Sequence, residues 1–349
     1  MPQSYHTIRK KDFIDLLSRL AVERAVFVPY KKGEELFFAP FDPKKEDAIE
    51  FGGIRQSQPV KSFLNPPREE VVGPAKGNDK PLVLVGVKGC DLCGLTVQDF
   101  VFQEGDVIDP FYTKNRQSAL IIAHDCTYAR ETCFCVAMNG LPYPQKHFDI
   151  SLSPVKDSYV AEIATDKGKA IVERYKTFFK ESSPDDLKER GARRKAVTDE
   201  VKAHIATRGT PEAAALGGAV KRQYNLIDLW KDAASTCVEC GACNLVCPTC
   251  HCFLLYDYKA KHTIGRGRIW DACLYKTFAR VAGGANPRRH LYERLRNRFD
   301  KKFSFFPDVL QSYACTGCGR CIEACPGDID IREVLKGLVS GKWNKPPHK

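Results

Sequence analysis

The sequence lacks the signatures of several protein classes. Residues Met1–His6 contain no apolar core of a signal peptide, and no apolar run approaches the length of a membrane span. No Gly-x-Gly-x-x-Gly follows a predicted strand, and no Walker A sequence is present. A serine nucleophile elbow and a zinc-protease helix are also missing. These absences predict a cytoplasmic protein without its own nicotinamide or nucleotide site. Of the chemistries considered, one-electron transfer is the one that these absences leave open.

Cysteine is abundant, and eight of the sixteen cysteines form two runs of identical spacing. The runs are Cys237-Val-Glu-Cys240-Gly-Ala-Cys243-Asn-Leu-Val-Cys247-Pro248 and Cys315-Thr-Gly-Cys318-Gly-Arg-Cys321-Ile-Glu-Ala-Cys325-Pro326. This spacing is the one with which bacterial ferredoxins hold 4Fe–4S cubanes, and the fourth cysteine of each run ligates the other cluster. We therefore predict a first cluster on Cys237, Cys240, Cys243 and Cys325, and a second cluster on Cys315, Cys318, Cys321 and Cys247.

Zinc is the alternative metal for cysteine-rich runs. Structural zinc sites are usually built from two separated cysteine pairs around a tetrahedron, whereas here four closely spaced cysteines occur twice. The spacing therefore favours iron–sulfur clusters, and thiolate ligands in a chain of globular size indicate a reducing compartment rather than a disulfide framework.

The chain of 349 residues has a formal net charge of +11. Such an excess is typical of nucleic-acid or membrane binding, but clusters with their thiolates are anions and offset part of it. No recognisable RNA- or DNA-binding module is present, so a zinc-bearing nucleic-acid binder is the weakest of the functions considered. We expect no nucleic-acid partner.

Periodicity predicts a mixed α/β domain at the start of the chain. Residues 11–23 place four apolar side chains on one helical stripe, namely Phe13, Ile14, Leu17 and Leu20. Residues 26–28 then resemble a strand with a hairpin partner at 35–38. The apolar runs 81–87 and 119–123 are typical of buried strands.

The rest of the chain predicts the end of this first domain and then a second, cluster-bearing domain. The first domain is expected to continue with a strand pair at 148–152 and 159–163, a helix over 169–180 and a helical connector over 181–222. We expect an α+β protein with an N-terminal domain at 1–225 and a ferredoxin-like dicluster domain at 226–349. A long insertion, residues 248–314, separates the two cluster motifs.

Further cysteines follow both buried apolar runs. Cys90 and Cys93 come after the first, while Cys126, Cys133 and Cys135 come after the second. Strands that are neighbours in a sheet bring such residues together, and four thiolates suit an iron–sulfur cluster or zinc. We predict a third site on Cys90, Cys126, Cys133 and Cys135, with Cys93 as the substitute. Buried reduced cysteines that act as small apolar side chains are the alternative.

The insertion carries Cys250-His251-Cys252 directly after the first run, and Cys273 further on. We interpret these thiols as neighbours that donate weak hydrogen bonds to cluster sulfurs, with direct ligation as the alternative. Leu291, Leu295, Phe299 and Phe303 recur every four residues among arginines. We expect a basic amphipathic helix whose apolar stripe is core and whose charged face, Arg288, Arg289, Arg294, Arg296 and Arg298, is in solvent.

Four strings are distinctive in combination, namely Gly86-Val-Lys-Gly-Cys-Asp-Leu92, Asp125-Cys126 with Thr132-Cys-Phe-Cys135, Cys247-Pro-Thr-Cys-His-Cys-Phe253 and Trp270-Asp-Ala-Cys273. Together they resemble the sulfhydrogenase beta-subunit family, which also includes the electron-transfer subunit of anaerobic sulfite reductase. The likeness runs over nearly the whole chain. Cys93 is an addition, because the family motif carries Cys90 alone.

The resemblance implies an electron-transfer subunit of an anaerobic oxidoreductase complex with two ferredoxin-type clusters. Its expected partners are an FAD-containing flavoprotein that handles NAD(P)H and a catalytic subunit, of the sulfite reductase, hydrogenase or heterodisulfide reductase type. The chain itself would then be non-catalytic. The alternative is a self-contained iron–sulfur reductase with its active site near Cys90 and Cys133, or at a special cluster beside Cys250 and Cys252.

Overall fold

The computed structural model describes residues 4–72, 80–260 and 263–343. Residues 4–65, 80–131 and 140–201 form one compact unit, which we call the first unit. Residues 66–72, 132–139, 202–260 and 263–343 form the second unit. The second unit therefore contains all eight cysteines of the two ferredoxin-type runs, together with Cys133 and Cys135.

The strands of the described residues are numbered in chain order. They are β1 (Ser4–Arg9), β2 (Ala25–Lys32), β3 (Glu35–Pro40), β4 (Arg68–Val72), β5 (Leu82–Val87), β6 (Leu120–His124), β7 (Ile150–Val155), β8 (Ser158–Ile163), β9 (Phe179–Glu181), β10 (Phe253–Ala260) and β11 (Thr263–Trp270).

The α-helices of the described residues are numbered in the same way. They are α1 (Lys10–Glu23), α2 (Lys61–Leu64), α3 (Gly89–Gln103), α4 (Pro110–Ser118), α5 (Asp166–Arg174), α6 (Pro184–Arg208), α7 (Ala213–Leu216), α8 (Ala219–Arg222), α9 (Ile227–Ala234), α10 (Ala242–Leu245), α11 (Leu291–Asp300), α12 (Phe306–Leu310), α13 (Arg320–Glu323) and α14 (Ile331–Ser340).

The first unit is built on one eight-stranded sheet with the strand order β3-β2-β5-β6-β7-β8-β1-β9. The pairs β2–β5, β5–β6 and β6–β7 are parallel, and the outer pairs are antiparallel. Because β5 and β6 are parallel neighbours, their carboxyl ends lie at the same edge of the sheet. Cys90 follows one of these ends and Cys126 follows the other.

Apolar side chains bury both faces of this sheet. Val83 and Val85 of β5 pack on one face against α1 and α5. Phe13 and Leu17 belong to the buried stripe of α1. Leu84 packs on the opposite face with α3 and α4. Successive residues of a strand point to opposite faces, so a continuous apolar run is required where both faces are covered.

The second unit contains a small sheet and several short helices. The sheet has the order β10-β11-β4 and is antiparallel. Helices α9 and α11 pack together through Trp230 and Phe299, whose ring centroids lie 5.6 Å apart. After α11 the chain forms a π-helical turn, Lys301–Phe305, before α12.

The structure confirms the mixed α/β class predicted from the sequence. The strands expected at 81–87 and 119–123 are β5 and β6, and the hairpin and the later strand pair are also present. The helix predicted over 169–180 is wrong in its second half, because the chain leaves α5 at Arg174 and pairs residues 179–181 with β1.

No helix of the described residues is both long enough and apolar enough to cross a membrane. The boundary expected at residue 225 stays a prediction.

Candidate iron–sulfur centre

The four cysteines predicted for the first cluster line one cavity of the second unit. Its volume is about 520 Å³ when the space open to solvent is included. Cys237, Cys240 and Cys243 come from the first run and Cys325 from the end of the second. The remaining wall is largely apolar, with Leu274, Leu295, Phe299, Ile329 and Ile331. Cys321 and Arg298 also reach this cavity.

Electrostatic contacts between thiols follow the same grouping. Burial raises the pKa of Cys237 and of Cys243, and the neighbouring Cys325 raises both further. Burial also raises the pKa of the Cys315 thiol to about 11, with Cys247 and Cys318 as the cysteines that act on it. Cys247 is therefore a neighbour of the second run, and Cys325 is a neighbour of the first.

Glycines with positive φ let each run turn tightly. Gly241 has φ +70° and Gly319 has φ +78°, and each directly precedes a one-turn helix, α10 or α13. A Cβ on Gly319 would lie 2.5 Å from the carbonyl oxygen of Thr132. The backbone therefore needs glycine here both for its conformation and for close packing.

Two buried cations lie among these cysteines. The Lys302 Nζ is 3.3 Å from Cys247 Sγ, and Arg298 Nη1 is 3.6 Å from Cys250 Sγ. Lys302 is 4% exposed and Arg298 is 5% exposed. Among the described residues, no carboxylate lies within 4 Å of either cationic group.

A buried charge is costly unless an opposite charge compensates it. The nearby sulfurs are the available source of negative charge, because the pKa of Lys302 is raised by Cys247 and that of Arg298 by Cys243, in each case against the lowering effect of burial. Thiolates that carry an anionic cluster would supply this charge, so the residues present fit an iron–sulfur group.

The thiols of the insertion line a second cavity, of about 840 Å³ with its open space included. Cys250, Cys252 and Cys273 are on its wall together with His251. The Cys250 thiol hydrogen-bonds to Cys247 and lowers the pKa of that residue. Asn244 Nδ2 donates to Cys273 Sγ at 3.0 Å. These contacts connect the insertion to a predicted ligand of the second cluster.

The residues predicted for a third site fall into two pairs, one in each unit. In the first unit, Cys90 and Cys126 both act electrostatically on the buried Lys88, whose Nζ donates to the carbonyl oxygens of Phe51, Gly52 and Asp125. Cys93, one turn further along α3, interacts with Lys146, and Asp91 acts on Cys93 and contacts Cys90.

The other pair, Cys133 and Cys135, lies beside the second run within the second unit. The backbone N–H of Phe134, between the two cysteines, donates to the carbonyl oxygen of Gly317 at 2.8 Å. Within residues 4–72, 80–260 and 263–343, no three His, Cys, Asp or Glu side chains are arranged around a single metal ion.

The expectation that the arginines of α11 face solvent is wrong for Arg294 and Arg298, which are buried. Arg294, Arg298 and Lys302 recur every four residues, directly beside the apolar stripe formed by Leu295, Phe299 and Phe303. That spacing is a signal in the sequence, because a second stripe next to the buried one lies at the edge of the core.

Two comparisons with known proteins agree with this geometry. Residues 236–329 match the family model of the 4Fe-4S dicluster domain. Sulfhydrogenase 2 subunit beta of Pyrococcus furiosus is 28% identical over 346 residues, which cover 96% of this chain and 99% of that protein. The predicted resemblance is thereby confirmed: the chain is similar to a sulfhydrogenase beta subunit over nearly its whole length and carries a C-terminal 4Fe–4S dicluster domain.

Proposed function

We propose that this chain is the electron-relay subunit of an anaerobic oxidoreductase complex in the cytoplasm, with two 4Fe–4S clusters. Cys237, Cys240, Cys243 and Cys325 would hold the first cluster, and Cys315, Cys318, Cys321 and Cys247 the second. These groups take up and release single electrons at potentials that the surrounding protein sets. The chain's own residues supply the ligands, exclude water and provide compensating charge.

One observation carries this proposal. Cys325 lies on the wall of the cavity that Cys237, Cys240 and Cys243 line, although it belongs to the other run. Such an exchange of the fourth cysteine is a property of two-cluster ferredoxins, and a zinc site has no need of it. The buried cations Arg298 and Lys302 support the same interpretation, because they require negative charge nearby.

The proposed partners are an FAD-containing flavoprotein that handles NAD(P)H and a catalytic subunit of the reductase or hydrogenase type. The relative from Pyrococcus furiosus is named as a subunit of a sulfhydrogenase, which supports assembly into a complex. The missing dinucleotide and phosphate-binding motifs also favour a separate flavoprotein, because this chain would otherwise have no electron source.

Iron and acid-labile sulfide counts test the proposal. The two clusters are expected to contribute about eight iron and about eight sulfide per chain to protein purified without oxygen. Stoichiometric zinc without iron would contradict it. Tight binding of NAD(P)H or FAD by the isolated chain would contradict the proposal that a separate flavoprotein binds these cofactors. Substrate turnover by the isolated chain with an artificial electron donor would favour a self-contained reductase.

We also propose a third iron–sulfur cluster on Cys90, Cys126, Cys133 and Cys135. Cys90 and Cys126 share Lys88 as an electrostatic partner. Cys133 and Cys135 flank a backbone hydrogen bond to the second run. Each pair of proposed ligands therefore has contacts of its own within its unit.

Cys90→Ser and Cys133→Ser are each expected to lower the iron count by about four, because a cubane with three thiolates loses stability. Cys93→Ser is the matched control and is expected to keep all iron, since Lys146 is the cation that acts on Cys93. Unchanged iron in both test variants would refute the third cluster. Iron loss in Cys93→Ser but not in Cys90→Ser would make Cys93 the ligand.

A further inference from the structure

Lys302 lies at a fixed position beside the second predicted cluster. It belongs to the π-helical turn Lys301–Phe305, and its Nζ donates to Thr249 Oγ1 and to the Ala314 carbonyl oxygen, both at 2.8 Å. Cys247 Sγ lies 3.3 Å from the same nitrogen. Two neutral oxygens therefore hold the ammonium group in place while a sulfur ligand faces its charge.

The two buried cations are distributed unequally between the clusters. Arg298 interacts electrostatically with Cys243 of the first set and with Cys321 and Cys247 of the second. Among the predicted cluster ligands, Lys302 interacts with Cys247 and Cys315, which both belong to the second set. Arg298 thus acts on cysteines of both sets, whereas Lys302 directly contacts Cys247 of the second set.

Reduction of a cluster adds one negative charge. A buried cation stabilises the reduced form, and the effect is large because water does not screen it in the protein interior. We propose that Lys302 makes the second cluster the easier of the two to reduce, so that electrons pass from the first cluster to the second. This inference rests on the proposed function.

The surface of the second unit agrees with entry at the first cluster. Cys240 is exposed, and its neighbour Val238 is 63% exposed, whereas Cys247 is 8% exposed. The first set is thus open to a donor at Cys240, whereas Cys247 of the second set is shielded from the surface. One electron from the reduced flavin of the proposed partner would enter here and move to the oxidised second cluster, and no bond forms or breaks.

The test is a redox titration of the intact clustered chain, followed by electron paramagnetic resonance. Cys240→Ser and Cys318→Ser assign the two signals, because each changes the ligands of one cluster. In Lys302→Met, the ratio of reduced to oxidised second cluster at a given potential is expected to fall at least tenfold. That change corresponds to 59 mV for a one-electron couple. The first cluster is expected to change much less.

Lys302→Arg keeps the charge and is expected to restore the second-cluster potential. Lys301→Met is the matched control, because Lys301 is the adjacent lysine but is exposed, with its Nζ 3.8 Å from the centre of the Phe305 ring. It is expected to leave both potentials unchanged. If Lys302→Met does not retain its clusters, Lys302→Gln removes the charge while keeping hydrogen-bond donors for Thr249 and Ala314.

The outcomes separate the two proposals. Wild-type protein without cluster signals would refute the proposed function itself. Wild-type protein with both signals, and a neutral Lys302 variant that holds full iron and keeps wild-type potentials, would refute the role of Lys302 alone. Equal shifts of both clusters would also refute it, because the charge would then not distinguish them.

Discussion

Cys325→Ser is expected to remove or alter the first cluster, although Cys325 stands at the end of the second run. Cys325 lines the cavity of Cys237, Cys240 and Cys243, and it raises the pKa of two of these thiols. Its replacement leaves the first set with three thiolates. We expect a loss of up to about four iron per chain, with the second cluster retained.

Three further variants make this result specific. Cys240→Ser changes a cysteine of the first run, and the electron paramagnetic resonance spectrum of this variant should match that of Cys325→Ser. Cys318→Ser lies in the second run, and its spectrum should match that of Cys247→Ser, since Cys247 is a neighbour of Cys315 and Cys321. If Cys325→Ser instead matched Cys318→Ser, each run would hold its own cluster and the exchange of fourth ligands would be wrong.

Arg294→Met is expected to destabilise the second unit by about 2 kcal/mol, because several buried hydrogen bonds lose their donor. Arg294 is 1% exposed, and its guanidinium donates to the carbonyl oxygens of Arg288 and Arg289 and to Glu239 Oε2. Glu239 lies between two cysteines of the first run and has φ +57°. Loss of Arg294 therefore also loosens the loop around the first cluster.

Two measurements under anaerobic conditions test this prediction, namely the thermal unfolding midpoint and the rate of iron release to a chelator. Arg296→Met is the matched control on the same helix, because Arg296 lies over the Tyr224 ring at 4.0 Å and is only partly buried. We expect it to change both measurements little. Equal effects of the two variants on both measurements would contradict the prediction, because the hydrogen bond from Arg294 to Glu239 would then have no special role.

Regular periodicity made much of the fold predictable. The stripe of Phe13, Leu17 and Leu20 predicts α1 because one face of a surface helix must be buried. The apolar runs of β5 and β6 predict strands covered on both faces for the same reason. In contrast, β9 was not predictable, because three residues at a sheet edge carry no period of their own and depend on their pairing with β1.

The candidate cysteines could be predicted where chemistry requires a fixed spacing, whereas the groups around them depend on tertiary packing. Each run supplies three of the four proposed ligands of one cluster locally, and the fourth comes from the other run. The spacing of Arg298 and Lys302 places them at the edge of the core, but their burial depends on sulfurs from distant parts of the chain, and charged residues in such positions are usually solvated. Likewise, nothing local in Thr132-Cys-Phe-Cys135 indicates that this segment packs against Gly317 and Gly319 rather than within the first unit.

The wall of the first cavity has a consequence for biosynthesis. Its earliest cysteine is Cys237, but the wall is complete only when Cys325 has been translated and has folded back. A ribosome-bound nascent chain that ends within the insertion would expose three thiols with no fourth partner. For the proposed first cluster, iron delivery must therefore follow translation of residue 325, and recombinant fragments that end before residue 325 lack one of its four proposed ligands.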